Sequence, residues 1–456
     1  MELPVDFKNK YSKLLGNDAT SFFASFDNPV EKGFRINPLK HVDQLVEHST
    51  ESPISYSKWG YYGTAHGKTI DHQSGLIYSQ EPSAMLVGEV AHPKATDRVL
   101  DLCAAPGGKT TYLASFMDQE GLLVSNEINH GRAKVLAENV ERFGIKNSVI
   151  LNESPDRMEK PFKQFFDLIV VDAPCSGEGM FRKDPSAMDY WNVDYPKECA
   201  NRQKKILNSA LKMLKPGGRL VYSTCTFAPE EDEQIAAWML SEHDQLKLET
   251  IKRDGDMDSG RPEWADGNPE LTKTLRLFPN HFKGEGHFIA SFKDQRTPEL
   301  DENRKKKSSK KSTLDKEHDK LWTDFSSLFL EDIDLFPKDN LKVVGEHLYY
   351  LNANINFSKL KYIKPGLDLG IFKKNRFEPS LSLLMCLKKQ DLKRAVTISS
   401  EQWRDYVHGE VITDINTDLK DNGWAAVCVD QIIVGPAKYV NGTLKNFYPK
   451  GLRLNF

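Results

Sequence analysis

The chain has 456 residues, which suggests roughly two to four domains, and its 39% hydrophobic content is enough for ordinary cores. A formal net charge of −3 excludes a global nucleic-acid field, so any basic patch must be local. No apolar run approaches ~18 residues and the N-terminal MELPVDFKNKYSKLLG is too polar for a signal peptide, so neither a membrane span nor export is expected.

Residues 1–95 read as a small α/β segment that caps the catalytic module. Phe7 to Phe26 reads as helical, FRINPLK (Phe34 to Lys40) as extended, WGYYG (Trp59 to Gly63) as loop, and SQEPSAMLVGEVA (Ser79 to Ala91) as a helix with a serine start. From Arg98 the pattern alternates. VLDLCA, LLVSNE, SVILNES, FDLIVVDA and RLVYSTC read as strands. KTTYLASFM, GRAKVLAENVERFG, ECANRQKKILNSALKMLK and EEDEQIAAWMLSEH read as the helices between and after them. This alternation predicts a doubly wound, mainly parallel sheet over 96–294, closed by HFIASFK (His287 to Lys293). Residues 295–318 read as a linker whose RKKKSSKK run is a solvated tether, with auxiliary phosphate contact as the sharper reading. Residues 319–395 read as a small mixed domain. From 396 to 456 short strands alternate with glycine turns, as in a small β-barrel, and Lys438, Lys445, Lys450 and Arg453 lie among Tyr439, Phe447 and Tyr448. Cations hold phosphate and rings stack on bases, so this tail suits RNA, although an ordinary surface has the same composition.

Chemistry is expected where strands end. In DLCAAPGGKT, Gly107 and Gly108 allow close backbone approach at a helix N-terminus. A P-loop would need glycine where Cys103 stands, and the small-residue loop suits S-adenosylmethionine better. Glu127, ending the second strand, is placed to hold ribose hydroxyls. Asp172-Ala173-Pro174-Cys175 puts a carboxylate three residues before a thiol in an open turn, and Ser223-Thr224-Cys225-Thr226 puts a second thiol at another strand end. The six cysteines form no C-x-x-C pair, so no structural metal is expected, and reduced thiols in a cytoplasm are the default.

Taken together, DLCAAPGGKT, DAPCSG and STCT resemble, in order and spacing, the RNA cytosine-C5 methyltransferase family over roughly residues 30–295. RFEPS (Arg376 to Ser380) and VNGTLKNFYPKGLR (Val440 to Arg453) are similar to its RsmF type, whose members methylate small-subunit ribosomal RNA and end in a PUA-like RNA-binding domain. The resemblance implies a Rossmann-like S-adenosylmethionine-dependent methyltransferase domain followed by a mixed domain and a PUA-like β-barrel. It implies that Cys103, Ala104, Ala105, Pro106, Gly107, Gly108 and Lys109 line the cofactor site, that Glu127 binds the ribose, and that Asp172 lies beside cofactor and base. It makes Cys225 the nucleophile and Cys175 the second thiol, which assists proton removal and release. One position departs: Ser154 stands where the family carries an acidic residue near the adenine, 18 residues before Asp172, with Glu153 or Asp156 as possible substitutes. The partners implied are ribosomal RNA or the 30S subunit, with a monomer expected. The competing classes are a non-catalytic RNA-binding assembly factor on this fold, methylation of another RNA such as tRNA, a DNA cytosine methyltransferase, in which the Pro-Cys thiol Cys175 would attack, and a P-loop NTPase.

Overall fold

The computed structural model describes residues 1–40, 44–297, 314–353, 355–357 and 359–456; the RKKKSSKK run lies outside them. The helix expected over Phe7–Phe26 is broken at Gly16, whose positive φ of 56° ends α1 (Val5–Leu15) before α2 (Ala19–Ser25). Phe7, Tyr11 and Leu15 recur on one helical face and bury it against Phe22, Trp191 and Phe227. A small sheet comes next, with β1 (Gly33–Ile36) between β2 (Gly60–Tyr62) and β3 (Ile77–Ser79). The WGYYG stretch is therefore an edge strand rather than a loop. After α3 (Ile70–Gln73), α4 (Pro82–Ala91) starts later than expected. Ser79 ends β3, and the cap is Glu81, whose carboxylate accepts the N–H groups of Ser83 and Ala84 at 2.9 and 3.0 Å.

The alternating region forms β4 (Arg98–Asp101), α5 (Gly108–Met117), β5 (Leu122–Asn126), α6 (His130–Phe143), β6 (Ser148–Leu151), α7 (Pro155–Glu159), β7 (Phe166–Asp172), α8 (Tyr195–Met213), β8 (Leu214–Thr224) and α9 (Glu233–Glu242). Strands β9 (Leu246–Glu249), β10 (Asp258–Ser259), β11 (Leu275–Leu277) and β12 (His287–Asp294) complete it. The order is β10-β11-β12-β8-β7-β4-β5-β6, with β9 on β12. Pairing is parallel from β6 to β8, and β12 closes antiparallel on β8. The chain leaves β4 to one side for β5 and β6, then crosses to the other for β7 and β8. That reversal opens a crevice at the carboxyl ends of the strands, where ligands bind in such sheets. The central strands are covered on both faces, which is why they read as continuous apolar runs.

Next among the described residues come α10 (Lys316–Phe329), which begins inside the stretch expected as a linker, β13 (Leu341–Val344), β14 (His347–Tyr350), β15 (Tyr362–Lys364), β16 (Leu367–Lys373), β17 (Arg376–Pro379) and α11 (Leu381–Met385). β13, β14, β16 and β17 form their own sheet, but β15 leaves it and pairs antiparallel with β6, covering the edge of the large sheet. Phe357 and Leu360 are buried in the same core as Leu151, Met158 and Phe162. The last unit carries β18 (Ala395–Thr397), α12 (Ser400–His408), β19 (Gly423–Val429), β20 (Ile432–Val440) and β21 (Thr443–Asn446), its strands in one sheet. Its Trp403, Tyr406 and Val434 share a core with Phe34, Leu76 and Ile77 of the N-terminal segment.

Gly144 joins two of these bodies. It ends α6 with φ 77°, and a Cβ there would lie 2.2 Å from the Met385 carbonyl oxygen of α11. Gly144→Ala is expected to cost about 1–3 kcal/mol from the backbone conformation alone, with the clash adding to it. The check is a lower urea midpoint together with faster proteolytic release of the C-terminal part.

Candidate active site

The loop after β4 is held from behind. Leu102 N–H donates to Val170 O at 3.0 Å and Ala104 N–H to Asn126 O at 2.9 Å. Arg132, Asn139 and Arg35 donate to the carbonyls of Ala105, Pro106 and Gly108, each at 2.8 Å. With its carbonyls tied outward, the loop offers the free N–H groups at the start of α5 to the crevice. Gly107 has φ 116° and caps α5 with no side chain. Burial raises the Cys103 thiol well above its ordinary value, so it keeps its proton. Beneath the loop, Asp101 accepts from Thr110 at 2.6 Å, and its buried Oδ1 has no partner among the described residues.

Glu127 sits at the end of β5, 4% exposed. One oxygen accepts Asn129 N–H at 2.8 Å and the other lies 3.6 Å from the Arg132 guanidinium. A carboxylate has about four acceptor sites, so capacity for ribose hydroxyls is left. Just past the end of β6, Ser154 precedes α7 and makes no capping bond. The carboxylates considered as its substitutes are Glu153 and Asp156. Glu153 accepts Lys361 N–H at 2.7 Å and pairs with Arg157 at 3.3 Å, so β15 and its approach occupy it. Asp156 is exposed and lines a separate cavity of about 790 Å3 with Lys160, Lys212 and His243.

Asp172, ending β7, accepts from Lys109 Nζ at 2.6 Å and from Ser223 Oγ at 2.8 Å. Burial works against its ionisation, but the Lys109 ammonium, His287 and the Ser223 hydroxyl together hold the carboxyl below its ordinary value. Burial likewise opposes charge on Lys109, and Asp172 overcomes this to raise the amine. Because the folded value of Asp172 is depressed, the stability it adds is complete above the unfolded value of about 3.9 and is lost as pH falls through the folded one. Asp172→Asn is therefore expected to flatten the acid limb of the stability curve, read from urea midpoints between about pH 5 and pH 3.

The two motif thiols meet. Cys175 Sγ lies 3.3 Å from Cys225 Sγ. Gly179 N–H donates to Cys225 O at 2.9 Å, and Ser176 and Thr226 hydroxyls share a 2.8 Å bond. Glu178 clamps the arrangement. Its fully buried carboxylate accepts from Tyr11 OH at 2.5 Å, Trp191 Nε1 at 2.9 Å, Thr226 Oγ1 at 3.0 Å and Phe227 N at 3.2 Å. Glu231 accepts Ser176 N–H at 3.0 Å and Gln203 Nε2 at 2.8 Å, and burial pushes it up to about 8. The bond to Cys225, then burial, raises the Cys175 thiol well above its ordinary value.

Sequence reasoning missed Glu178, Glu231 and the Lys109–Asp172 pair. The only signal for the carboxylates was their position inside or beside motif turns.

On the C-terminal sheet, Lys438 faces Lys445 across β20 and β21 and Trp424 across β19 and β20, so the three form one row. Phe447, 42% exposed, meets the Trp424 ring edge-on at 4.5 Å. Tyr439 and Tyr448 are buried, and so the aromatic side chains near the lysines are Trp424 and Phe447 instead. Lys450 is exposed, while the Arg453 guanidinium packs over Gly409 at the end of α12.

S-adenosylmethionine fits this crevice: a side-chain-free cradle at Gly107, a ribose-competent Glu127, and an orphaned acceptor in Asp101. The fold and this crevice are those of the S-adenosylmethionine-dependent methyltransferases. Residues 89–293 match the family described as 16S rRNA methyltransferase RsmB/F. Residues 3–82, 328–387 and 393–454 match the N-terminal, first C-terminal and PUA domains of RsmF methyltransferases. Ribosomal RNA small subunit methyltransferase F of Vibrio campbellii is 31% identical, over 99% of this chain and 97% of that protein. Its counterpart in Vibrio cholerae is 30% identical, over 99% and 98%. Among solved structures, a methyltransferase homolog protein from Pyrococcus horikoshii is 28% identical with a TM-score of 0.55, covering 63% of this chain and 93% of that one. NSun6 from the same organism shares the fold, with 20% identity and a TM-score of 0.53 over 64% and 99%. The chain belongs to the RsmF family of methyltransferases.

Proposed function

We propose that this chain methylates C5 of cytosine in the 16S RNA of the small ribosomal subunit, through a covalent bond between Cys225 and C6 of the base. The observation that carries the reading is the 3.3 Å thiol pair beside the Lys109–Asp172 pair at the mouth of the crevice. The Cys103–Lys109 loop, Glu127 and Ser154 hold S-adenosylmethionine, which when bound supplies the methyl group that ends on C5.

Cytosine C5 is a weak nucleophile. Addition of the Cys225 thiolate to C6 makes the ring enamine-like and places electron density at C5. The proton released by the Cys225 thiol ends on N3, and the Asp172 carboxylate accepts a hydrogen bond from that N3–H, stabilising the protonated adduct. Alkylation of Cys225 also removes the largest cause holding the Cys175 proton, so that thiol is freed to ionise at the stage when the C5 proton must leave. Loss of that proton lets Cys225 depart. The target base must be unstacked to reach the thiols.

In this reading residues 1–95 form an RNA-binding cap on the 96–294 catalytic unit, residues 295–318 link it to the 319–395 domain, and residues 396–456 hold RNA through Lys438, Lys445, Lys450 and Arg453. The enzyme works as a cytoplasmic monomer on ribosomal RNA or the 30S particle. No helix among the described residues is long and apolar enough to cross a membrane. The test is transfer of labelled methyl to 16S RNA, 30S particles, tRNA and DNA, followed by base analysis. The expected product is 5-methylcytosine in 16S RNA. Label confined to tRNA or DNA, or none in any nucleic acid, would reject the reading.

A further inference from the structure

His287 opens β12, one position before the Phe288–Thr224 pair, on the strand beside the one that leads into Cys225. It is 5% exposed. Its Nδ1 lies 3.0 Å from Ser83 Oγ. The Ser83 hydroxyl donates its one proton to the Glu81 carboxylate, and Gly286 N–H also points at this oxygen, at 3.4 Å. Ser83 can therefore only accept from the imidazole, so Nδ1 carries the hydrogen and Nε2 is a bare lone pair. That Nε2 is buried with no partner among the described residues. An orphaned buried acceptor is costly and calls for an explanation.

Burial first, then the Lys109 ammonium, pushes His287 down to about 4, so the ring is neutral at working pH. The nearby charged groups that act on it are Lys109, Asp172 and Glu81. Asp172 is the group assigned above to the base, Lys109 is its ion-pair partner, and Glu81 lies behind Ser83. The strand register agrees: β12 runs antiparallel to β8 with Phe288 opposite Thr224, so His287 sits beside Cys225, in the corner that receives the base. On the edge of cytosine, the group next to N3 is the exocyclic 4-amino group, a donor. Uracil presents a carbonyl there, an acceptor.

We propose that His287 determines base specificity, its Nε2 accepting a hydrogen of the cytosine 4-amino group. This rests on the cytosine reading above. Uracil would set its O4 lone pairs against Nε2 and is rejected, because the locked tautomer has no proton to offer. The Glu81–Ser83 chain is what keeps the lone pair on Nε2.

The test is the rate of covalent adduct formation on a short RNA carrying, at the cytosine that wild type methylates, either cytosine or pyrimidin-2-one, which lacks the 4-amino group. His287→Phe is expected to slow adduct formation on cytosine about 30-fold and to leave pyrimidin-2-one within about threefold of wild type. His287→Gln, whose amide oxygen can accept, should recover most of the cytosine rate. Ser83→Ala keeps the ring but frees its tautomer, and should lose about three- to tenfold on cytosine only. Equal losses on both bases would overturn the proposal, as would a raised KM for S-adenosylmethionine with no dependence on the 4-amino group. In the latter case Nε2 serves the cofactor's ammonium group. Wild type that forms no adduct on any cytosine RNA would instead reject the cytosine reading, and this one with it.

Discussion

Cys225→Ala is expected to abolish both methyl transfer and the protein–RNA adduct, whereas Cys175→Ala should keep the first chemical step and accumulate an adduct that survives a denaturing gel. The asymmetry arises from the resting pair. The two sulfurs lie 3.3 Å apart, and the bond between them, then burial, raises the Cys175 thiol. Alanine at 225 removes the sulfur proposed to bond C6, and methyl transfer should fall by roughly 10^4-fold or more. Alanine at 175 removes the sulfur that contacts Cys225, so adduct formation slows by about tenfold, but release suffers more. If Cys175→Ala fails to form adduct while Cys225→Ala traps it, the roles are exchanged.

Arg276→Met should be the most destabilising substitution in the catalytic unit. Arg276 is 1% exposed and makes two bonds to Glu233, at 2.6 and 2.5 Å, with Asp232 3.0 Å away. Its third nitrogen donates to Phe227 O at 3.1 Å, two residues beyond Cys225. Methionine fits the volume but strands two buried carboxylates, and breaking one side of such a group costs about 3–5 kcal/mol. The measurement is the urea midpoint. Adding Asp232→Asn and Glu233→Gln should restore much of the loss by removing the uncompensated charge. Failure of that rescue would mean that packing against Trp264 and Phe288, not charge, sets the cost. Arg276→Lys should also be poor, because an ammonium cannot reproduce the two-pronged bond to Glu233.

The parallel sheet and its crevice were legible because they depend on local pattern. Doubly covered strands read as apolar runs, and each active loop comes directly after one. The clamp around the thiols was not legible. Glu178 reads as a surface acid in a glycine turn, and its donors come from residues 11, 191, 226 and 227, which only the folded chain assembles. The C-terminal patch was legible in its lysines but not in its rings. Neighbouring residues in a strand face opposite sides, so Lys438 turns to solvent while Tyr439 enters the core. Nothing in the sequence marks Tyr362–Lys364 as part of the catalytic sheet. Its three partly exposed residues carry no apolar alternation, and its partner strand ends at Leu151.

That distance has a consequence for biogenesis. The outer edge of β6 is synthesised early, and the strand that covers it emerges 211 residues later. At roughly 5–20 residues per second, the nascent chain waits about 10–40 s with an unsatisfied strand edge presented to its surroundings. The catalytic unit is therefore most prone to mispairing during its own translation, and a chain truncated before Tyr362 carries that open edge permanently.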